Sequence, residues 1–496
     1  MENKAHIAVV SIPAFSHQVS ILSLCKRLLQ LHPNLHITFI LPVLNSLSNA
    51  SKSLIDSLPS FNIHTVLLPP VTFPQGSNIH PALQVPLAMS QSVSSIRHAL
   101  NSLNSTSNNK LVALIADYLA YETLGLAKSL NILSYIYFPS SATVLSLCLH
   151  SSWLHQTVSC EYTQLLEPIK IPGCIPIHGR DLPTSLQDRS SQVYEHFLRR
   201  SKGLYLASGI LVNSFKELEE GAITALQEQR KNYVSESTAS NYVSESTSSI
   251  ANKFPSVYPI GPIVQADWVS SNHVNHDDSE CLRWLDKQEP KSVLYVSFGS
   301  GGTLSQNQMN ELALGLELSG QKFLWVVREP NDLPSANYFT GSSKHDNTLR
   351  FLPNGFMERM KGKGLAVPCW VPQVEILRHK ATGGFLTHCG WNSTLEAVVH
   401  GLPIIAWPLF AEQRTIALML SDGLNVAVRP KVNENGIAER EEIAMVIKRV
   451  MIGDEGTRIR ATMEVLQHAS SDALKQDGSS SMILSQLAME WKNIGA

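Results

Sequence analysis

The densest group of residues able to do chemistry lies between Trp370 and Gln413, in the sequence WVPQVEILRHKATGGFLTHCGWNSTLEAVVHGLPIIAWPLFAEQ. Its centre, residues 387–393, follows a strand-like run at 384–386 and precedes a helix-like run at 395–399. The first N–H groups of a helix have no partner within the helix, and the helix dipole places partial positive charge there. A strand, a tight turn and a helix start in this order therefore predict a site for an anionic ligand.

Along its whole length this stretch resembles the nucleotide-sugar signature of plant secondary-product UDP-glycosyltransferases (family 1). The resemblance extends more loosely over nearly the whole chain. It implies an α/β protein of the GT-B class, with two Rossmann-like, doubly wound parallel-sheet domains facing each other across a cleft. UDP-sugar would bind mainly to the C-terminal domain and the acceptor to the N-terminal one. Residues 172–183, PGCIPIHGRDLP, resemble a stretch typical of the hydroquinone and phenylpropanoid glucosyltransferase branch.

The centre of the stretch carries the candidate phosphate-binding groups. His388 can donate to a phosphate oxygen, and Gly390 would let the backbone approach a pyrophosphate without a Cβ clash. Asn392 and Ser393 add side-chain donors. The resemblance includes Trp391 in the same donor-binding set.

A planar base and a ribose could be bound by residues on either side of this centre. The indole of Trp370 can stack on a uracil ring, and Gln373 is near enough in sequence to bond to base or ribose. Glu396 can accept from both ribose hydroxyls. Alternatively, Trp370 is a core aromatic, and Ser393 with Glu396 forms a helix-capping box. The resemblance favours the ligand-binding roles.

The resemblance also assigns sugar and phosphate contacts at two further turns. Glu412 and Gln413 match the residues that bind the hexose, and a terminal Gln in this family usually goes with UDP-glucose. The small-residue turn at 297–303 (SFGSGGT) matches a turn that approaches the phosphates, with Ser300 as the contact. Taken alone, such a glycine-rich turn is a weak signal.

Two residues in the first half are the catalytic candidates. His17 follows the first strand, and Asp117 ends the strand-like run 111–116. Ligands of open α/β sheets bind beyond the carboxyl ends of the strands, so these two side chains can meet there. A neutral His can take a hydroxyl proton, and a carboxylate can orient it. The family dyad matches both, although Ala14 and Ser16 stand where the family commonly has glycines.

The resemblance therefore implies an inverting, UDP-glucose-dependent O-glucosyltransferase that gives a β-glucoside and UDP. We expect a small phenolic or flavonoid-type acceptor, no cofactor and no metal, because the chain contains no Asp-x-Asp sequence. The alternative from another class is a non-catalytic UDP-sugar-binding or scaffold protein. A nicotinamide dehydrogenase is disfavoured because no G-x-G-x-x-G follows the first strand.

Composition excludes other classes. The chain has 496 residues, 44% of them hydrophobic and 16% charged, with a formal net charge of −2 and no basic tract. A nucleic-acid binder would show a basic face, so none is expected. The seven cysteines include no C-x-x-C pair, the start resembles a strand rather than a signal peptide, and no apolar run reaches membrane-spanning length. We expect a cytoplasmic monomer.

Strand-like and helix-like runs alternate in both halves, which predicts parallel βαβ units in two domains. We place an acceptor-binding domain at 1–254 and a donor-binding domain at 255–478, with 479–496 packing back on the first. Residues 232–240 (NYVSESTAS) are repeated as 241–249 (NYVSESTSS). This polar duplication predicts a mobile loop at about 230–252 with no catalytic role.

Overall fold

A computed structural model of the chain describes residues 5–74, 79–106, 109–239, 254–264, 276–335, 348–368 and 371–495. The chain divides into two compact units. Unit 1 comprises Met1–Arg180, Ser185–Val264 and Asp472–Ala496, and unit 2 comprises Asp181–Thr184 and Gln265–Ser471.

Unit 1 is built on a parallel sheet. Its strands in the described residues are β1 (His6–Val10), β2 (His36–Leu44), β3 (Ile63–Val71), β4 (Leu111–Asp117), β5 (Leu133–Phe138), β6 (Gly209–Val212) and β7 (Ser256–Pro259). They lie in the order β3-β2-β1-β4-β5-β6-β7, and neighbours pair in parallel. β1 (HIAVV) and β4 (LVALIAD) are buried at every position, as expected for strands covered on both faces. The strand order reverses between β1 and β4, which makes their carboxyl ends the natural ligand position.

Helices connect these strands. The α-helices that precede β7 are α1 (Phe15–Leu31), α2 (Asn49–Ser57), α3 (Pro81–Thr106), α4 (Leu124–Ser129), α5 (Ala142–Thr157), α6 (Gln192–Gly203) and α7 (Glu220–Ala239). Short 3₁₀ segments lie at Leu58–Phe61, Tyr118–Thr123, Tyr162–Gln164, Gly179–Asp181, Thr184–Leu186 and Leu204–Leu206.

Unit 2 contains a second parallel sheet. Its described strands are β8 (Val293–Ser297), β9 (Lys322–Val326), β10 (Gly364–Val367), β11 (Thr382–Thr387), β12 (Ile404–Ala406) and β13 (Ala427–Val428). They lie in the order β10-β9-β8-β11-β12-β13, with every described pair parallel. The order reverses between β8 and β11, so this sheet has the doubly wound arrangement typical of nucleotide-binding folds.

The helices of unit 2 follow its strands in alternation. They are α8 (His276–Leu285), α9 (Gln306–Ser319), α10 (Phe356–Arg359), α11 (Gln373–Arg378), α12 (Trp391–Val399), α13 (Gln413–Leu418), α14 (Arg440–Met451) and α15 (Asp454–Leu474), with a 3₁₀ turn at Thr348–Phe351 and a π turn at Met419–Gly423. α9 shows why such segments begin and end where they do. The Ser305 hydroxyl accepts from the Gln308 N–H at its start, and Gly320 (φ 68°) ends it in the left-handed conformation.

The chain's last described helix, α16 (Ser479–Gly495), belongs to unit 1. The Trp491 side chain is fully buried, and its ring lies 5.5 Å from the ring of Tyr135 on β5. The Arg27 guanidinium on α1 donates to the hydroxyl of Ser481 at 2.7 Å. α16 is therefore part of the core of unit 1.

Three boundaries differ from those predicted from the sequence. The short strand β7 pairs with β6, so unit 1 extends to Val264 rather than to residue 254. The returning segment begins at Asp472, within α15, rather than at residue 479. α7 continues to Ala239, so residues 232–239 of the first repeat copy are helical where a loop was predicted. Residues 240–253 lie outside the described residues.

Within the part of the chain that the structure describes, none of the helices is both long and apolar enough to cross a membrane.

A buried histidine lies at the start of β1. His6 accepts or donates through Nε2 at 2.9 Å from the Thr38 hydroxyl, and its ring lies edge-on to the ring of His36 at 4.6 Å. Burial, with smaller contributions from His36 and His64, lowers the pKa of His6 from 6.5 to about 4. Neutral His6 is thus the form that the folded unit 1 accommodates.

This burial predicts acid sensitivity of folding. The folded pKa of His6 lies below the unfolded value, so its contribution to stability is complete above pH 6.5 and is lost as the pH falls toward 4. The complete loss corresponds to at most about 3 kcal/mol. Urea unfolding at pH 7 and pH 5 should show a smaller acid-induced loss for His6→Gln than for the wild type. His98→Gln, a change at an exposed residue of α3, should behave like the wild type. Equal losses in all three proteins would contradict the assignment.

Candidate functional site

The two catalytic candidates meet at the switch point of the unit 1 sheet. His17 lies in the first turn of α1, after β1, and Asp117 is the last residue of β4. His17 Nδ1 lies 2.8 Å from Asp117 Oδ2. The His17 side chain is 17% exposed, whereas that of Asp117 is fully buried. An imidazole with Nδ1 bound to a carboxylate keeps Nε2 as the atom that can take a proton.

The carboxylate of Asp117 is itself held in place. Its Oδ1 accepts from the backbone N–H of Leu119 at 2.9 Å, at the start of the 3₁₀ segment that follows β4. The two carboxylate oxygens therefore face different partners, the backbone on one side and His17 on the other. This arrangement fixes the position of the imidazole by a hydrogen bond from a rigid strand end.

The turn before His17 does not require glycine. Ala14, the residue before α1, has an extended backbone (φ −132°, ψ 119°), and no residue of the described turn 11–17 has positive φ. The replacement of family glycines by Ala14 and Ser16 is therefore compatible with the backbone seen here.

An aromatic ring lies beside His17. The ring of Tyr118 stacks on His17 with a centroid distance of 6.2 Å and an interplanar angle of 18°. Tyr118 in turn packs edge-on against Phe138 at 5.0 Å, and the Arg200 guanidinium lies 4.8 Å from its ring centre. The His17 ring is thus bounded on one face by an aromatic side chain.

In unit 2, two turns meet at the corresponding switch point. The turn after β8 contains Gly299 (φ 73°), and the turn after β11 leads through His388 and Cys389 (φ 62°) to Gly390. A Cβ added at Gly299 would lie 2.5 Å from His388 Cε1, and one at Gly390 would lie 2.4 Å from His388 Nε2. The imidazole of His388 therefore fits between two glycines.

This geometry gives a further reason for glycine at position 390. Close approach of a pyrophosphate stays a prediction, and the missing side chain also makes room for the His388 ring. Gly299, which was not among the candidates predicted from the sequence, does the same from the other side. Its presence in the turn at 297–303 was visible, but its contact with His388 depends on the pairing of β8 with β11.

His388 is a neutral side chain near pH 7. Burial, followed by the charge of Arg328, lowers its pKa from 6.5 to about 4. Its Nδ1 lies 3.4 Å from the Thr387 hydroxyl. A neutral imidazole donates through one nitrogen only, so His388 can offer one N–H to an anion but no formal charge.

The start of α12 has no side-chain cap. Gly390 is the residue before the helix, with an extended backbone and no side-chain cap on the first turn. Trp391 is only 3% exposed, so its indole belongs to the core and its backbone N–H is the group placed at the helix start. Asn392 is half-buried in the same first turn. The predicted order of strand, turn and helix is present, and binding of an anion at this helix start stays a prediction.

Gln373, Ser393 and Glu396 form one hydrogen-bond network. Gln373 Nε2 donates to the Ser393 hydroxyl at 3.1 Å and to Glu396 Oε2 at 2.6 Å, and its carbonyl oxygen accepts from the Tyr295 hydroxyl at 3.2 Å. The capping-box alternative is wrong, because Gly390 rather than Ser393 precedes the helix. Tyr295 was missed by the sequence analysis, since a buried Tyr inside β8 resembles an ordinary core residue.

The carboxyl group of Glu396 titrates close to neutrality. Burial raises its pKa from 4.5 to about 7, although the hydrogen bond from Gln373 acts in the opposite direction. A buried carboxylate needs further donors, and two vicinal hydroxyls could supply them.

The last two candidates along the chain are the first residue of α13 and the residue before it. Gln413 Oε1 accepts from the backbone N–H groups of Leu409 and Phe410 at 2.8 and 3.0 Å. In a side-chain amide the oxygen accepts and the nitrogen donates. Since Oε1 is bound to the loop backbone, Nε2 is the atom that can donate to a ligand. Glu412 is the residue before α13 and is half-buried.

The two remaining candidates are Ser300 and Trp370. Ser300 is half-buried in the turn after β8, near the residues around His388. Trp370, the predicted base platform, lies outside the described residues, so its role stays a prediction. Among the described residues, no group of three or more His, Cys, Asp or Glu side chains is arranged to hold a metal ion.

Comparisons with known proteins agree with this geometry. A family model for UDP-glucoronosyl and UDP-glucosyl transferase matches residues 149–452. The chain is 46% identical to a hydroquinone glucosyltransferase of Rauvolfia serpentina, over 99% of each chain. It is 42% identical to UDP-glycosyltransferase 72B1 of Arabidopsis thaliana, over 98% of this chain and 96% of that one.

A solved structure shows the same relationship. Phytolacca americana UGT2 complexed with UDP-2fluoro-glucose and pterostilbene has a TM-score of 0.85 and 41% identity, and the match covers 98% of this chain and 99% of that one. The α/β fold of the GT-B class predicted from the sequence is thereby confirmed. These matches show that the chain belongs to the UDP-glycosyltransferase family of plants.

Proposed function

We propose that the chain is an inverting O-glucosyltransferase that transfers glucose from UDP-glucose to a small phenolic or flavonoid-type acceptor, giving a β-glucoside and UDP. The observation that carries this proposal is the 2.8 Å contact between His17 and the buried carboxylate of Asp117 at the switch point of unit 1. The names of two similar proteins, with hydroquinone in one and pterostilbene in the other, support a phenolic acceptor.

Unit 1 would supply the base. His17 Nε2 takes the proton of the acceptor hydroxyl while Asp117, bound to Nδ1, stabilises the imidazolium that forms. The acceptor oxygen then attacks the anomeric carbon and the bond from that carbon to the UDP oxygen breaks. A single displacement on an α-linked donor gives the β-glucoside.

Unit 2 would hold the donor. Uracil stacks on Trp370, the ribose hydroxyls donate to Glu396, and the diphosphate binds Ser300, His388, Asn392, Ser393 and the start of α12. Gln373 acts partly through Glu396, since its amide already orients that carboxylate. The negative charge that develops on the departing diphosphate meets preorganised donors and the helix dipole.

Glu412 and Gln413 would bind the hexose. A carboxylate and an amide donor together suit the hydroxyls of glucose, and Gln413 presents its amide with the oxygen already bound to the loop backbone. UDP-glucose is the proposed donor on this ground and on the family pattern. A cytoplasmic location and a monomeric state stay predictions.

The activity can be tested with UDP-glucose and a panel of simple phenols and flavonoids. We expect UDP release that depends on the acceptor, with the glucoside identified by mass and anomeric configuration by NMR. Release should continue in excess EDTA, because helix and side-chain donors stabilise the leaving group without a metal. UDP-glucose binding with no release on any acceptor would favour the non-catalytic alternative. Loss of activity in EDTA, restored by Mg²⁺, would contradict the metal-free mechanism.

His17→Ala should lower the transfer rate at least about 100-fold, the usual contribution of a positioned general base. UDP affinity, measured by calorimetry, should stay within about twofold because the proposed UDP contacts lie in unit 2. Asp117→Asn should give an intermediate loss with the same unchanged UDP affinity. A His17→Ala protein with transfer rates comparable to the wild type would refute the assigned base.

The raised pKa of Glu396 predicts that nucleoside binding depends on pH. The ionised carboxylate is the form that accepts from ribose, and its pKa is about 7, so affinity should be full above pH 7 and fall as the pH drops below it. Uridine is the suitable probe because it has no phosphate that titrates in this range. Competitive inhibition by uridine should weaken about tenfold per pH unit below pH 7 in the wild type. Glu396→Gln should bind uridine more weakly and with a flat profile, and an equally steep profile in this variant would reject the role.

A further inference from the structure

A four-residue segment of unit 2 lies far in sequence from the rest of that unit. Asp181–Thr184 belongs to unit 2, although residues on both sides of it belong to unit 1. It includes the end of the stretch 172–183 noted in the sequence analysis. Within unit 2, the segment contacts the loop that leads to Glu412 and Gln413.

Thr184 binds both backbone groups of a single loop residue. Its N–H donates to the Ala411 carbonyl at 2.9 Å, and its side-chain Oγ1 accepts from the Ala411 N–H at 3.1 Å. This reciprocal pair fixes the orientation of both peptide groups that flank Ala411.

Ala411 needs such support because its backbone is strained. Its φ of 54° lies in the left-handed region, which is unfavourable for a residue with a Cβ. A conformation of this kind persists where the surroundings hold it, and it commonly occurs at functional sites. Here the residue that follows the strained position is Glu412, at the start of α13.

Asp181 anchors the segment to the body of unit 2. Its carbonyl accepts from the Thr415 hydroxyl at 2.7 Å, and its buried carboxylate accepts from Arg429 Nη2 at 2.7 Å. Arg429 directly follows β13, so the anchor reaches the sheet. Thr184 therefore holds Ala411 from a support that is fixed independently of the loop.

Ala411 lies inside a loop that the Gln413 side chain closes. Gln413 Oε1 accepts from Leu409 and Phe410 on one side of Ala411, while Gln413 itself lies on the other side. A different backbone conformation at Ala411 would separate these groups and turn the Gln413 amide. The direction of the Nε2 donor thus depends on the residue that Thr184 binds.

We propose that Thr184, anchored through Asp181, is a positioning residue for hexose recognition. It holds Ala411 in the left-handed conformation and thereby directs Glu412 and Gln413 at the sugar. The inference rests on the proposed function, in which these two residues bind the hexose of UDP-glucose.

The test compares Thr184→Val, which removes the oxygen that accepts from Ala411, with Thr184→Ser, which keeps it. Thr184 is exposed, so both variants should fold. One lost hydrogen bond predicts a fall of about three- to tenfold in kcat/KM for UDP-glucose and a similar fall in the preference over UDP-galactose. The Kd for UDP should be unchanged in Thr184→Val, and Thr184→Ser should match the wild type. An unchanged sugar preference, or a loss of UDP affinity by the same factor, would overturn the proposal.

Gln413→Ala separates this inference from the proposed function. If Gln413→Ala lowers the preference for UDP-glucose and Thr184→Val does not, the positioning role of Thr184 is wrong and the hexose site stands. If Gln413→Ala leaves both kcat/KM and the preference unchanged, the assignment of the hexose site fails, and the role of Thr184 fails with it.

Discussion

The divergence of two central parallel strands is the constraint on which both sites depend. Where the strand order reverses, the connections leave toward opposite sides of the sheet and the two carboxyl ends are left uncovered. In unit 1 these ends are those of β1 and β4, and they bring His17 to Asp117 across a hundred residues of sequence. In unit 2 they are those of β8 and β11, and they bring Gly299 to His388. The topology of each sheet therefore sets where the site lies, and the side chains at that position set its chemistry.

Burial alters the titration of two side chains in unit 2. It keeps His388 neutral near pH 7 and raises the pKa of Glu396 to about 7. An anionic ligand would meet N–H donors and a helix start rather than a cluster of cations. In unit 1 the buried Asp117 carboxyl group lies 2.8 Å from His17, and in the proposed mechanism it stabilises an imidazolium there. The same strand-end geometry would thus serve an anionic ligand in unit 2 and a cationic side chain in unit 1.

Much of this architecture could be predicted from the sequence because its signals are local. The run at 111–116 predicted β4 almost to the residue, and the run at 293–298 did so for β8. The pairing of His17 with Asp117 followed from their positions at strand ends. The contact of Gly390 with the His388 ring could not be predicted, because it depends on how the backbone turns between the two residues, which no local sequence pattern gives. The strand β7 is harder to predict, because it is only four residues long and Gly261 and Pro262 follow it closely. The contact of Thr184 with Ala411 could not be predicted either, because the two residues lie far apart in sequence and no motif links them.

The position of α16 in unit 1 has a consequence for biosynthesis. During synthesis the strands of the first sheet emerge before those of unit 2, yet Trp491, which packs beside Tyr135 on β5, emerges only after them. The sheet of unit 2, which lies between them in sequence, is complete before that residue leaves the exit tunnel. The first sheet therefore cannot complete its packing around Tyr135 until the chain of unit 2 has been synthesised, and incomplete packing of this kind favours aggregation of folding intermediates.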